Sequence, residues 1–341
     1  MKLLAKGHLR PAIALAAVTA ACAQVSPPGA PPPATAATVE AHVARATQLA
    51  GDDLKFLLPL CKPQPAERAE PGAAMDAGLR ALIAKPAPPP MQVFDNLYYV
   101  GADWVSAWVL KTSAGLVLID ALNNTEEAQA LIEGGMLKLG LQPSQIRYVV
   151  VTHGHGDHYG GAKYLVDRYK ARVIASVADW NMMHGTLEFT SAVWSPPPML
   201  DIEIKRDGEK MTFGDTTMTF YVTTGHTLGT LSPMFDVKQG GKTYHALLWG
   251  GTSFNFGNDY SRLASYVANT ERMQEMAARL PVDVLLSNHA GWDDSIAKMN
   301  ANRAAGPAGK NAFVTGPQVV GRAFGVMGEC ARAQAERFRA P

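Results

Sequence analysis

The stretch VTHGHGDHYGG, Val151–Gly161, decides the fold, because three of the chain's nine histidines, His153, His155 and His158, fall within it beside Asp157. The residues before it, IRYVVV, form the near-continuous apolar run of a strand buried on both faces. That strand is expected to stop at Thr152, with a short loop leading into a helix at about Tyr159. In an extended segment residues two apart point to the same side, so His153 and His155 can share one metal ion. Gly154 and Gly156 are expected to supply the unusual backbone angles of a tight loop. Asp157 and His158 then face another way, which suits a second metal beside the first. Imidazole and carboxylate donors favour zinc, with iron and manganese left open by ligand type alone.

A catalytic metal of this kind takes three protein ligands and keeps an open position, so each ion needs a further donor. Two histidines stand in suggestive places: His226 follows a strand in TTGHTLGT, and His289 follows the strand VDVLLSN. Outward from these, strands and helices alternate from about Met91. MQVFDNLYYVG, SAWVLKTS and GLVLIDA read as three strands, followed by a helix from about Glu126 to Gly140. Further strands are expected around Ile202–Ile204, Met218–Thr223, Leu231–Asp236 and Tyr244–Trp249, then a helix from about Leu263 to Leu280. A last helix is expected near Gln318 to Phe338. Two sheet-rich halves, each flanked by helices, predict an α/β fold: a four-layer αββα sandwich of two mixed sheets between outer helices.

Three segments, HGHGDH, Gly225-His226-Thr227 and Asn288-His289, resemble the metallo-β-lactamase superfamily over about Met91 to Asp293. Within it the pattern is most similar to the third, di-zinc subclass of the β-lactamases. The resemblance implies two Zn2+ per chain, the first on His153, His155 and His226, the second on Asp157, His158 and His289. It further implies a β-lactam ring opened by a hydroxide bridging the zincs, with Asp157 orienting the nucleophile. Relatives that cleave lactones, thioesters or phosphodiesters add a bridging aspartate in a GD pair, where this chain has Gly250-Gly251-Thr252. Without it, the two ions keep a formal surplus of about two positive charges, which favours a small-molecule substrate bearing a carboxylate.

Candidates for substrate contact are Trp104, Thr252, Ser253, Asn255 and Tyr260, with Met183 and Trp194 in the long apolar segment 179–200. Each has an ordinary loop or packing role as its alternative. Phe254 stands where the lactamase subclass is expected to carry a small hydroxyl residue. The runner-up function is a di-zinc lactonase or esterase, for example one acting on acyl-homoserine lactones. A third reading is a binding protein that keeps the fold without catalysis. His184, His245, His42 and His8 match no position of the motif.

Composition frames these readings. The chain of 341 residues is 47% hydrophobic and 18% charged with net charge +1, an ordinary globular balance with no basic cluster for a nucleic acid. The opening MKLLAKGHLRPAIALAAVTAACAQ has a basic start, a short apolar run and small residues, the layout of an export signal over 1–23. Export to the periplasm is expected, with a lipid anchor at Cys22 as the alternative. A Pro/Ala-rich linker over 24–38 and a helical extension over 39–90 precede the hydrolase domain at 91–341. In an exported chain the remaining Cys61 and Cys330 predict one disulfide, with two buried thiols as the alternative.

Overall fold

The computed structural model describes residues 36–307 and 309–339. The expected export signal, Cys22 and nearly all of the linker lie outside these residues. The one overlap is a boundary: α1 (Ala36–Ala50) begins inside the segment expected to be linker.

Alternation of side chains along the strands builds the layers. One sheet has seven strands in the order β1 (Met91–Phe94), β2 (Leu97–Tyr99), β3 (Trp108–Thr112), β4 (Gly115–Ile119), β5 (Ile146–Val150), β6 (Arg172–Ser176) and β7 (Ile202–Ile204). Its first four strands are antiparallel and its last four are parallel. The second sheet runs β12 (Val282–Ser287), β11 (Lys242–Trp249), β10 (Leu231–Gln239), β9 (Thr216–Val222), β8 (Glu209–Phe213). Along β11, Ala246 and Leu248 point into the core between the sheets, where they join Phe94, Trp108, Ile119 and Phe220. Leu247 and Trp249 point the other way, against Tyr266 and Phe324. Each fully buried side chain of this size contributes roughly 1.5–3 kcal/mol.

Helices cover both outer faces. On the seven-stranded sheet lie α3 (Thr125–Glu127), which continues through a π-helical turn into α4 (Gly134–Lys138), then α5 (Gly156–Tyr159), α6 (Ala162–Tyr169) and α7 (Val177–His184). On the other sheet lie α1, α8 (Tyr260–Arg279) and α10 (Pro317–Arg339). The expected αββα sandwich of two mixed sheets is thus the observed architecture. Local sequence sets the helix starts: the Ser176 hydroxyl accepts from Asp179 N in α7, and the Asp259 carboxylate accepts from Arg262 N in α8.

The structure corrects the reading in several places. MQVFDNLYYVG is a hairpin of two strands, because Asp95-Asn96 turns the chain and Asn96 caps it by bonding Asp236 O and Lys238 N. Strand β8 and helix α9 (Ser295–Ala305) went unread. The extension is helical only in α1, a 3-10 turn (Lys55–Cys61) and α2 (Ala73–Ile83). The expected Cys61–Cys330 disulfide is present and ties the extension to α10.

Candidate active site

The chemistry gathers where strands of both sheets end. Asp120 follows β4, HGHGDH follows β5, and Asp179 sits just after β6 in the first turn of α7. His226 lies between β9 and β10, Gly250 to Ser253 follow β11, and His289 follows β12. The sheets are stitched here: Leu231 N donates to Thr152 O at 2.7 Å, and Ser106 N to Asn288 O at 2.9 Å.

Each histidine ring is fixed through one nitrogen. Nδ1 of His153 lies 2.7 Å from Gly250 O, and that of His226 lies 2.7 Å from Ser253 O. Nδ1 of His158 meets Asp120 Oδ2 at 2.8 Å, and that of His289 meets Trp104 O at 3.1 Å. Acceptor oxygens at these four positions require Nδ1 to carry the proton, so each Nε2 is a bare lone pair aimed inward. His155 is reversed: its Nε2 faces Glu188 Oε2 at 3.2 Å, which frees Nδ1.

The donor atoms fit metal ions. His153, His155 and His226 bring their nitrogens within 4.8 Å of one another, with 3.0 Å between Nε2 of His153 and Nε2 of His226. A second group lies beside it. His158 Nε2 lies 3.4 Å from Asp157 Oδ2 and 3.2 Å from His289 Nε2, and His289 Nε2 lies 3.6 Å from Asp157 Oδ2. A tetrahedron with bonds of about 2.0–2.1 Å has edges of about 3.3–3.4 Å, so both groups could hold zinc.

Electrostatics keep three of these rings neutral. Burial and the neighbouring imidazoles push His153 and His226 well below the usual histidine range, and burial with His158 takes His289 down to about 4. At His158 burial also lowers, but the Asp157 and Asp120 carboxylates outweigh it and raise the ring. Metal binding needs neutral imidazole, so most of the set is ready for an ion at neutral pH.

Four supporting residues escaped the sequence reading. Asp120 accepts from Thr152 N and Thr152 Oγ1, each at 2.8 Å, besides orienting His158. It does so from a left-handed backbone, φ 62°, which is strained for aspartate. Asp179 clamps two ligand loops together, accepting from Gly154 N, Thr227 Oγ1 and Gly229 N. Arg262 donates to Glu188 at 2.8 Å and to Gly225 O at 2.8 Å, so one guanidinium reaches both the His155 partner and the residue before His226. Burial alone would raise the Glu188 carboxyl, but His155 and Arg262 hold it down to about 2. The available signals were an aspartate ending GLVLID and a lone glutamate in an otherwise apolar loop.

The glycines have a different role from the one expected. Neither Gly154 nor Gly156 has a positive φ. A Cβ on Gly154 would come within 2.6 Å of Met182, and one on Gly156 would fall inside the Trp194 ring. Close approach of neighbouring side chains, not backbone conformation, demands glycine here.

A cavity of about 410 Å3 opens over the donors, floored by His155, Asp157, His226 and His289. Trp104, Trp194, Ser253 and Asn255 line it as expected, together with Phe189, which was not anticipated. Its roof comes from the extension, through Gln64, Glu67, Met75 and Leu79. Other candidates stand elsewhere. Thr252 is buried beneath the wall, its carbonyl taken by Tyr266 Oη. Tyr260 opens α8 with the Arg339 guanidinium 4.4 Å over its ring, lining another cavity. Met183 packs in the core behind Gly154. Phe254 packs edge-on to Tyr266 at 4.8 Å, so its bulk never meets the pocket. His184 stacks on Trp180, His245 pairs with Asp236, and His42 pairs with Glu329.

Known proteins place this architecture. The profile of the metallo-β-lactamase superfamily matches residues 100–235. A subclass B3 metallo-β-lactamase of Bradyrhizobium japonicum is 26% identical, with a TM-score of 0.59 over 70% of this chain and 90% of that one. The native metallo-β-lactamase of Legionella gormanii shares the fold at 23% identity, with a TM-score of 0.60 over 74% of this chain and 95% of that one. An alkyl/aryl-sulfatase of Saccharomyces cerevisiae is 36% identical over 77 residues, 22% of this chain, and an (R)-specific secondary-alkylsulfatase of a Pseudomonas species 37% over 78, also 22%. Those matches span only 12% and 11% of the two sulfatases. The sandwich, the histidine-rich donor set and this profile agree: over residues 100–235 the chain matches the metallo-β-lactamase superfamily, and its fold and site are those of a metal-dependent hydrolase.

Proposed function

We propose that the protein is a di-zinc β-lactamase acting on a small carboxylate-bearing substrate. The observation that carries this furthest is the pair of Nε2 lone pairs of His153 and His226, 3.0 Å apart. Two such lone pairs repel unless a cation lies between them, and burial disfavours a proton on either ring. In this reading His153, His155 and His226 hold one zinc, and Asp157, His158 and His289 the other. Zinc bound there would acidify a water into a nucleophile near neutral pH and polarise the scissile carbonyl.

The chain's own groups do the rest. Asp157, in the pocket floor, orients the attacking water and accepts its proton. Ser253 and Asn255 offer a hydroxyl and an amide on the pocket wall to a substrate carboxylate. Trp104 and Trp194, with Met75 and Leu79 above, enclose the ring and exclude bulk water. The subclass B3 neighbours support this choice of substrate.

A second reading, a lactone or ester hydrolase, is favoured by the pocket wall. Among its described lining residues there is no lysine or arginine, while Met75, Leu79 and Phe189 are apolar. The deciding experiment follows hydrolysis of a chromogenic cephalosporin by zinc-loaded protein, with and without chelator, beside an acyl-homoserine lactone and an alkyl sulfate. Chelator-sensitive cephalosporin turnover supports the lactamase. Turnover of the lactone or sulfate alone overturns it in favour of another ester of the same site.

The reading includes export to the periplasm, with a lipid anchor at Cys22 as its variant. The Cys61–Cys330 disulfide supports an oxidising compartment. The mass of the mature N-terminus distinguishes cleavage after Ala23, lipidated Cys22 and an uncut chain, the last of which rejects export by this route.

A further inference from the structure

A second cavity, of about 430 Å3, shares no lining residue with the metal pocket. It lies among the 3-10 turn of the extension, the start of α10 and the segment 310–315. Leu54, Phe56, Leu285, Val314, Val320 and Ala323 give it a largely apolar wall. Lys298, on α9, reaches into it with a half-buried side chain.

The Lys298 ammonium has no anionic partner in contact. Its Nζ stands 5.8 Å from the centre of the Phe56 ring and 5.4 Å from that of Phe313. Asp293 is fully engaged elsewhere, Oδ1 taking Ser295 N and Oγ and Oδ2 taking Ser287 N. Asp53 is committed to Arg322. Asp293 and Asp294 act on Lys298 only through space, and burial lowers its pKa against them. Among the described residues no oxygen accepts a hydrogen bond from Nζ, and no carboxylate pairs with it. An ammonium at the edge of an apolar cavity, with no carboxylate in contact, is free to take a charged acceptor that enters the cavity.

We infer that this cavity binds an amphiphilic monocarboxylate, its carboxylate on Lys298 Nζ and its hydrocarbon chain along Phe56, Val320 and Ala323. The two aromatic faces already stabilise the cation but offer no hydrogen-bond acceptor, so they hold the ammonium in place for one. The volume lies within the range of small-molecule sites, and the pattern of apolar walls with a few polar groups is theirs as well. Lys310, also on the lining, adds a second positive charge, while the lining carboxylates of Asp53 and Asp293 are committed to Arg322 and to Ser287 and Ser295. A carboxylate gives the ammonium a charge-assisted hydrogen bond, about twice as strong as the one a neutral hydroxyl offers.

The test is calorimetric titration of the zinc-loaded protein with octanoate, with octan-1-ol as the uncharged control. The expected result is one octanoate per chain, with octanol at least tenfold weaker. Lys298→Met should weaken octanoate at least tenfold, and Lys298→Arg should restore it to within about threefold. Should Lys298→Met fail to fold, Val319→Phe narrows the cavity from α10 and is expected to abolish binding. Zinc removal distinguishes this site from carboxylate capture by the metals, and affinity should be unchanged by it. Absence of octanoate binding into the millimolar range overturns the inference. So does wild-type affinity in both Lys298→Met and Val319→Phe, or binding that disappears with the zinc.

Discussion

Glu188 has the most to say at the scale of single residues, because it touches no proposed substrate yet decides how one ligand ring faces. With its Nε2 held by Glu188, His155 presents Nδ1 to the metal group, and Arg262 fixes that glutamate in turn. Partners of this kind raise ligand basicity and lock ring orientation, and their loss typically costs 10–100-fold in metal affinity. Glu188→Gln is therefore expected to weaken zinc binding by about tenfold or more in competition with a chromogenic chelator, while the circular dichroism spectrum stays unchanged. Undiminished zinc affinity would reduce Glu188 to a tether for its loop. His226→Ala and His289→Ala test the proposed ligands themselves. Each should cut turnover at least a thousandfold and leave the fold intact, and near-native rates in either would remove that histidine from the set. Gly156→Ala places a methyl group where the Trp194 ring lies, so a stability loss of about 1–3 kcal/mol is expected by denaturant titration.

At the scale of elements, the extension is a roof held at its ends. None of the residues of α2 is buried, yet Met75 and Leu79, one turn apart, line the pocket. The strap before α2 is pinned by Asn258 N to Ala66 O at 2.7 Å and Arg68 Nε to Phe256 O at 3.2 Å. Asp76 of α2 itself accepts from Ala192 N and Ser191 Oγ. The disulfide anchors the start of the strap on α10. Replacing Cys61 and Cys330 by serine should cost about 2–5 kcal/mol of stability. It should also raise KM more than it lowers kcat, since the roof meets substrate rather than the reacting bond. An unchanged KM would mean that the hydrogen bonds alone hold the roof. This element also marks the limit of what the sequence disclosed. The donor set could be read from HGHGDH, where four donor residues fall within one short segment after β5, and from two strand-end histidines that the family resemblance joins to it. The roof, Glu188 and Asp120 could not, because each meets the site through contacts between residues distant in the chain. Thr252 was misplaced for a related reason: after β11 the chain alternates faces, and the strand's end gives no register to say which of Thr252 and Ser253 looks inward.

For the molecule as a whole, the site couples folding to protons and to metal. The buried rings of His153, His226 and His289 favour the neutral form in the native state, His289 titrating only at about 4. In the unfolded chain each would titrate near the ordinary value of about 6.5. A base depressed on folding lends stability that is complete above its unfolded pKa and is lost as pH falls through the folded one. On account of these three rings metal-free protein should lose stability steadily from about pH 6.5 toward 4, whereas the raised His158 works the other way, its contribution being lost as pH climbs above about 6.5. For His289 alone the loss is on the order of 2–3 kcal/mol. His289→Gln removes that titration and should flatten the acid limb. Zinc acts in the opposite sense at neutral pH, because it binds only the assembled site: at a free concentration 1,000-fold above Kd it adds about 4 kcal/mol. Chelation at pH 7.5 is thus expected to lower Tm by roughly 2–4 °C for each kcal/mol lost. The gap between zinc-loaded and chelated protein should narrow on acidification, as protons compete for the same lone pairs. A calorimetric scan at four pH values, with and without chelator, reads both effects at once. A Tm indifferent to chelator at every pH would show that folding completes the donor set without any ion, and the two facing nitrogens of His153 and His226 would then need a proton between them.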